Sequence, residues 1–127
     1  MPLIDERFPA STWHLSDAGR YKCEDLRESL FQFFPANVYS SSEPKAIETA
    51  QLSTSNYSID QINIDRRLNE HYREAYKFQS HIQFETHIKE FFDYPDRRIF
   101  GEETADEAYR RFNAAIQEIL SYGTQTQ

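Results

Sequence analysis

One cysteine, one methionine, one tryptophan and three glycines are all that the 127 residues contain of those types. The lone Cys23 excludes an intrachain disulfide and any zinc site built on several thiolates, and it fits a reducing, cytoplasmic compartment. Gly19, Gly101 and Gly123 stand far apart, which excludes a glycine-rich loop cradling phosphates. No cofactor signature is present, so none is expected. Positive charge is also short: 14 Lys+Arg against 21 Asp+Glu leave a net charge of −7, which disfavours a nucleic-acid partner, since that needs a basic face. No apolar run approaches the roughly 18–20 residues of a membrane span, so no membrane partner is expected. The first ten residues include Asp5, Glu6 and Arg7 and no apolar stretch, unlike a signal peptide.

Rings are plentiful by contrast. Aromatics make up 15% of the chain, with 10 Phe and 8 Tyr, although hydrophobic residues in total reach only 39%. Each buried ring removes about 150–250 Å² from water, so a core built on rings is expected rather than disorder. The length suits a single domain over residues 1–127.

Residues 1–15 carry Pro2 and Pro9 with no clear period and read as an irregular arm. Ser16 is a candidate N-cap, with Asp17 favouring the positive end of a helix. Ala18, Leu26, Leu30 and Phe33 recur at helical spacing, predicting a helix over 17–34 that Pro35 stops. A short β-favouring stretch centred on Val38 and Tyr39 precedes three serines. Pro44 then suits a first helical turn, where its missing N–H costs nothing. Residues 53–58 read as a polar linker, Ile62 and Ile64 as a second short strand, and 68–80 as loop or irregular helix. Phe84, Ile88, Phe91 and Phe92 predict a helix over 80–92, ended by Pro95. The last helix opens on a Thr104-x-x-Glu107 capping box, continues with the apolar stripe Ala108, Phe112, Ala115, Ile116, Ile119 and Leu120, and has Gly123 as its expected stop. This alternation predicts α/β with parallel strands, although two short strands are few for an independent parallel sheet.

Four segments in this order resemble the histidine phosphatase superfamily, whose fold is phosphoglycerate mutase-like. Trp13-His14-Leu15-Ser16-Asp17-Ala18-Gly19-Arg20 is similar to its W-x-L-[ST]-x-x-G-R stretch. Val38-Tyr39-Ser40-Ser41-Ser42-Glu43-Pro44-Lys45-Ala46-Ile47-Glu48-Thr49-Ala50 is similar to YSSPxxRAxxTA. Leu68-Asn69-Glu70 is similar to L-x-E, and Gly101-Glu102-Glu103-Thr104 with Arg110-Arg111-Phe112 to GGE[ST]xxExxxRF. The resemblance implies a three-layer α/β/α domain, here helix-rich with few short parallel strands. It also implies phosphomonoester hydrolysis through a phosphohistidine, with charge stabilisation around the phosphoryl group. The implied partner is a small phosphorylated metabolite or a phosphoprotein.

Carried over by residue, the resemblance gives Lys45 the phosphate-binding arginine position, where Lys keeps the charge and loses the bidentate fork. It gives Glu70 the general-acid position and sets Ser40 and Ser41 at the strand end near the phosphate. No residue matches either catalytic histidine. The family's RHG or RHS would fall before Met1 and its HG after the last helix, so the fold is expected to be truncated, through a shortened chain, a late start codon or a degenerate gene. Little or no turnover is then expected. The alternative is a non-catalytic module for anion binding or protein interaction, with homo-oligomerisation through exposed apolar faces.

The remaining polar residues carry plainer readings. His14 lacks a neighbouring arginine and reads as a loop histidine. His71 reads as a surface residue or a pocket liner beside Glu70. His81 and His87 are six apart, which is not the spacing of a metal-binding pair, so no metal is expected. Cys23 reads as a small buried hydrophobe. Arg66-Arg67 and Arg97-Arg98 read as solvated charge at element ends, and Glu102-Glu103 as capping residues. Phe84, Phe91, Phe92 and Phe112 are expected in the core, and the Phe31, Phe33, Phe34 cluster to include an exposed ring.

Overall fold

The computed structural model describes residues 2, 8, 10–34, 36–57, 61–72 and 81–125. They fall into two compact units, 1–66 and 67–127. The expected Pro35 stop and most of the 68–80 stretch, namely 73–80, lie outside the described residues.

In the first unit, helix α1 spans Asp17–Ser29. The Ser16 side chain accepts a hydrogen bond from the Gly19 N–H at 3.2 Å, satisfying one of the donors that a helix start leaves over. Gly19 and Cys23, one turn apart, form its buried face. The helix ends earlier than its apolar spacing predicts. Phe31–Phe33 tightens into a 3-10 turn, and Phe34 is extended. A proline at 35 disfavours helical backbone at Phe34, in keeping with its extended conformation. The turn redirects Phe34 onto Tyr57, ring on ring at 4.1 Å.

Strand β1, Val38–Ser40, pairs in parallel with β2, Ile62–Ile64, in the register Val38↔Ile62, Tyr39↔Asn63 and Ser40↔Ile64. Asp65 N–H extends the ladder to the Ser40 carbonyl at 2.9 Å, and Asn63 Nδ2 donates to the Val38 carbonyl at 3.0 Å. Helix α2, Pro44–Ser53, connects the strands. The polar stretch expected from residue 53 onward is not a solvated linker at its start, because Ser53 and Thr54 are buried. Thr54 satisfies its hydroxyl on the Ala50 carbonyl at 2.7 Å, which makes this burial possible. Arg27 Nε donates to the Leu52 carbonyl at 3.0 Å and the Tyr57 hydroxyl to the Arg27 carbonyl, tying α1 to the end of α2.

The arm before α1 is ordered where it is described. Ala10–Thr12 forms a 3-10 turn and Pro2 bridges Leu15 antiparallel. The Lys45 N–H donates to the Trp13 carbonyl at 3.1 Å. Glu48 on α2 accepts from the Leu15 N–H at 3.2 Å, from His14 Nδ1 at 2.9 Å and from Arg20.

The second unit begins within the 3-10 turn Arg66–Leu68, after Arg66, and continues through an irregular stretch carrying Asn69 to Tyr72. Helices α3, His81–Asp93, and α4, Ala105–Gln125, complete it. Gly101, with φ of 77°, sits in the left-handed region that glycine enters at no steric cost, and turns the chain towards Glu103. The capping box forms as its spacing predicts: Thr104 N–H donates to Glu107 at 2.9 Å and Glu107 N–H to the Thr104 hydroxyl at 3.1 Å. The helix runs through Gly123, since a C′ glycine permits a stop without compelling one.

Only part of the expected aromatic core is inside. Of the expected rings Phe91 is buried and Phe84 half-buried, whereas Phe92 and Phe112 are exposed; Phe100, outside that set, is buried against Phe91. Phe91 and Phe92 are adjacent on α3, and adjacent helical residues point about 100° apart, so one ring is turned outward. Ala115, fully buried, marks the inward line of α4 instead.

Candidate functional site

The junction of β1 and α2 carries three of the candidate residues, Ser40, Ser41 and Lys45. Ser40 and Ser41 are buried at the C-terminal end of β1. Ser41 Oγ accepts the Glu43 N–H at 3.4 Å, while the Ser40 hydroxyl donates to the Ser41 carbonyl at 2.8 Å. Glu43 is the N-cap residue of α2 and Pro44 its first helical residue, so the turn is set by proline's fixed φ. Lys45 follows in the first turn. Its ammonium lies 3.5 Å from Glu43 Oε2 and 5.9 Å from the centre of the Trp13 ring. Their side chains keep only 13% (Lys45) and 5% (Glu43) of their exposure. A cation in a first turn opposes the helix dipole, and the Glu43 carboxylate offsets it.

Glu70, the general-acid candidate, belongs to the second unit, where its side chain is exposed. What holds it is a backbone clamp. Arg111 on α4 donates to the carbonyls of Arg67 at 2.8 Å, Asn69 at 2.6 Å and Glu70 at 3.1 Å. The same guanidinium makes a two-pronged contact with Glu103, at 2.6 and 3.3 Å, and stacks over the Tyr72 ring at 4.1 Å. Glu103 accepts the Tyr72 N–H at 2.8 Å as well, and the Glu102 N–H reaches the Tyr72 carbonyl at 2.7 Å. Glu103 is therefore not a solvated capping residue, as its place before α4 suggests. It is the buried counter-ion of Arg111.

His71 is half-buried. Its ring lies 4.3 Å from Phe91 and 4.9 Å from Phe100, and Nε2 donates to the Glu103 carbonyl at 2.6 Å. A carbonyl only accepts, which assigns the proton to Nε2 and leaves Nδ1 buried without a hydrogen bond. His14 is tied to Glu48, as above. His81 pairs with Glu85 one turn on at 2.8 Å, and His87 stacks on Phe100. Arg67 pairs with Glu118 at 2.7 Å and Arg97 lies over the Tyr94 ring at 4.7 Å, so both doublets have partners beyond solvent. Cys23 is buried. Among the described residues, no three of His, Cys, Asp and Glu gather as metal ligands, and no helix is long and apolar enough to cross a membrane.

Two networks escaped the sequence reading, that on Glu48 and that on Arg111 and Glu103. Their members are separated by long stretches of chain, so helical spacing carried no signal for them. Only the motif match, which contains Glu48, Glu103 and Arg111, pointed towards these positions.

Known structures share this architecture. A mycobacterial glucosyl-3-phosphoglycerate phosphatase, solved with inorganic phosphate, superposes with a TM-score of 0.66 at 19% identity over 86% of this chain and 54% of its own. Bacillus stearothermophilus YhfR superposes with a TM-score of 0.65 at 22% identity over 87% of this chain and 57% of its own. The chain thus spans little more than half the length of either. No curated protein sequence matches it. The helix-rich fold with its short parallel strand pair is that of these phosphoglycerate mutase-like proteins. With a family model matching over residues 10–126, the chain belongs to the histidine phosphatase superfamily (branch 1).

Proposed function

We propose that this chain carries phosphate-recognition segments of a phosphomonoester-hydrolysing fold. In this reading Lys45 and Ser41, in the first unit, bind phosphoryl oxygens; for Glu70, in the second unit, the family resemblance suggests a general-acid role. The observation that carries it is the β1–α2 junction. In α/β folds ligands lie beyond the carboxyl ends of parallel strands, and a helix N-terminus there favours an anion. Ser41 uses its oxygen to accept the Glu43 N–H and keeps its hydroxyl hydrogen for a ligand. The substrate class is a small phosphorylated metabolite or a phosphoprotein, in keeping with relatives that act on phosphate esters.

The 127 residues contain neither an Arg-His nor a His-Gly pair. These residues alone therefore form no phosphohistidine by the family's route, and loss of a nucleophile costs orders of magnitude in rate. The expected result is background hydrolysis of p-nitrophenyl phosphate and no acid-labile phosphoprotein. Turnover at a rate typical of phosphatases, abolished by His14→Ala, would sink the reading. A second reading, a non-catalytic interaction module, rests on Phe31 and Phe33, which are 75% and 63% exposed. Self-association in size-exclusion chromatography that Phe31→Ser reverses would favour it.

A further inference from the structure

Resting on the proposed phosphate role of Lys45, we infer that Glu43 is an internal counter-anion that sets the anion affinity and selectivity of this site. The Lys45 ammonium lies 3.5 Å from Glu43 Oε2, two residues apart across Pro44, with little of either side chain exposed. In such surroundings opposite charges attract far more strongly than in water. Glu43 makes no side-chain capping bond to the helix it precedes, so its approach to Lys45 is not a by-product of capping. The ammonium also lies over the Trp13 ring, 5.9 Å from its centre.

A phosphate arriving at Lys45 therefore meets a cation already compensated, and a carboxylate that repels it. Repulsion grows with ligand charge, so a doubly charged phosphate is disfavoured most. The pair makes the site a weak, selective binder instead of an open anion trap. Replacing the carboxylate by an amide of the same shape removes the repulsion and leaves Lys45 its full charge.

The test is isothermal titration of inorganic phosphate into the full chain and its Glu43→Gln, Lys45→Met and double variants, at one pH and low ionic strength. Glu43→Ala serves as a second variant, and circular dichroism checks folding of each. The expected result is phosphate affinity at least tenfold tighter in Glu43→Gln than in the native chain, with the gain abolished in the double variant. Equal or weaker affinity in Glu43→Gln and Glu43→Ala, while the native chain binds phosphate, overturns the inference and leaves the phosphate role of Lys45 standing. A gain that persists without Lys45 also overturns it. Absence of phosphate binding in every variant overturns the phosphate role itself, and the inference with it.

Discussion

Replacing Arg111 by methionine is the most demanding test of how the Glu70 segment is held. Arg111 spends its donors on five contacts: two to the Glu103 carboxylate and three to the carbonyls of Arg67, Asn69 and Glu70. Its side chain is 14% exposed and that of Glu103 8%, so water does not screen the pair as it does at a surface. Methionine preserves much of the buried stem and removes every donor. Glu103 is then left with the Tyr72 N–H as its remaining side-chain partner among the described residues. Stranding one member of a buried ion pair costs about 3–5 kcal/mol, a large share of the roughly 5–15 kcal/mol that holds a domain together. At roughly 2–8 °C per kcal/mol, the melting temperature falls by at least ~6 °C.

Urea unfolding followed by far-ultraviolet circular dichroism measures the loss, while fluorescence of Trp13 reports the first unit separately. Arg111→Lys keeps the charge but not the planar fork, and falls between native and Arg111→Met. The double variant Glu103→Leu with Arg111→Met has no stranded carboxylate and regains part of the loss. The reasoning is refuted if Arg111→Met unfolds within ~1 kcal/mol of the native chain, or if the double variant is no more stable than Arg111→Met.

Glu48→Ala releases the Leu15 N–H, His14 and Arg20 together. Because His14 and Arg20 are largely exposed, most of the expected loss of ~1–2 kcal/mol comes from the Leu15 contact, and a shift in Trp13 emission reports the loosened arm. Tyr57→Phe retains the stack on Phe34 and loses the hydroxyl contact with the Arg27 carbonyl, lowering stability by ~1 kcal/mol in the same urea assay. The Glu107 carboxyl is held below its ordinary value of 4.5, chiefly by the Thr104 backbone N–H, with the Thr104 hydroxyl, Arg98 and Arg110 adding to the effect. A carboxyl with a lowered folded value stabilises above its unfolded value, and that contribution disappears as pH falls through the folded one. Glu107→Gln therefore shows a flatter loss of melting temperature than the native chain as pH drops below 4.5, and identical acid limbs contradict this account.

Local chemistry was legible wherever its causes are local. Ser16 caps α1 and Thr104 and Glu107 form their box because each bond closes within three residues. The two strands and their parallel pairing followed from β-favouring triplets separated by a helix, and the four motif segments named the family. Where neighbours compete, spacing does not decide. On α4, Glu107 and Arg111 are one turn apart, the separation of a surface ion pair, yet Arg111 turns to Glu103, where burial strengthens the attraction and three carbonyls add hydrogen bonds. Phe91 and Phe92 look equally apolar, and only the packing of α3 buries one and exposes the other.

The sequence by itself determined the composition, which excludes a disulfide within these residues and a glycine-rich loop, the helix starts, the order of elements and the family. Tertiary structure alone decided which charges are neutralised: Lys45 by Glu43, Glu48 by Arg20, Arg111 by Glu103. The physical reason is that an ion pair's strength depends on its distance from water, and that distance is set by the whole fold rather than by spacing along the chain.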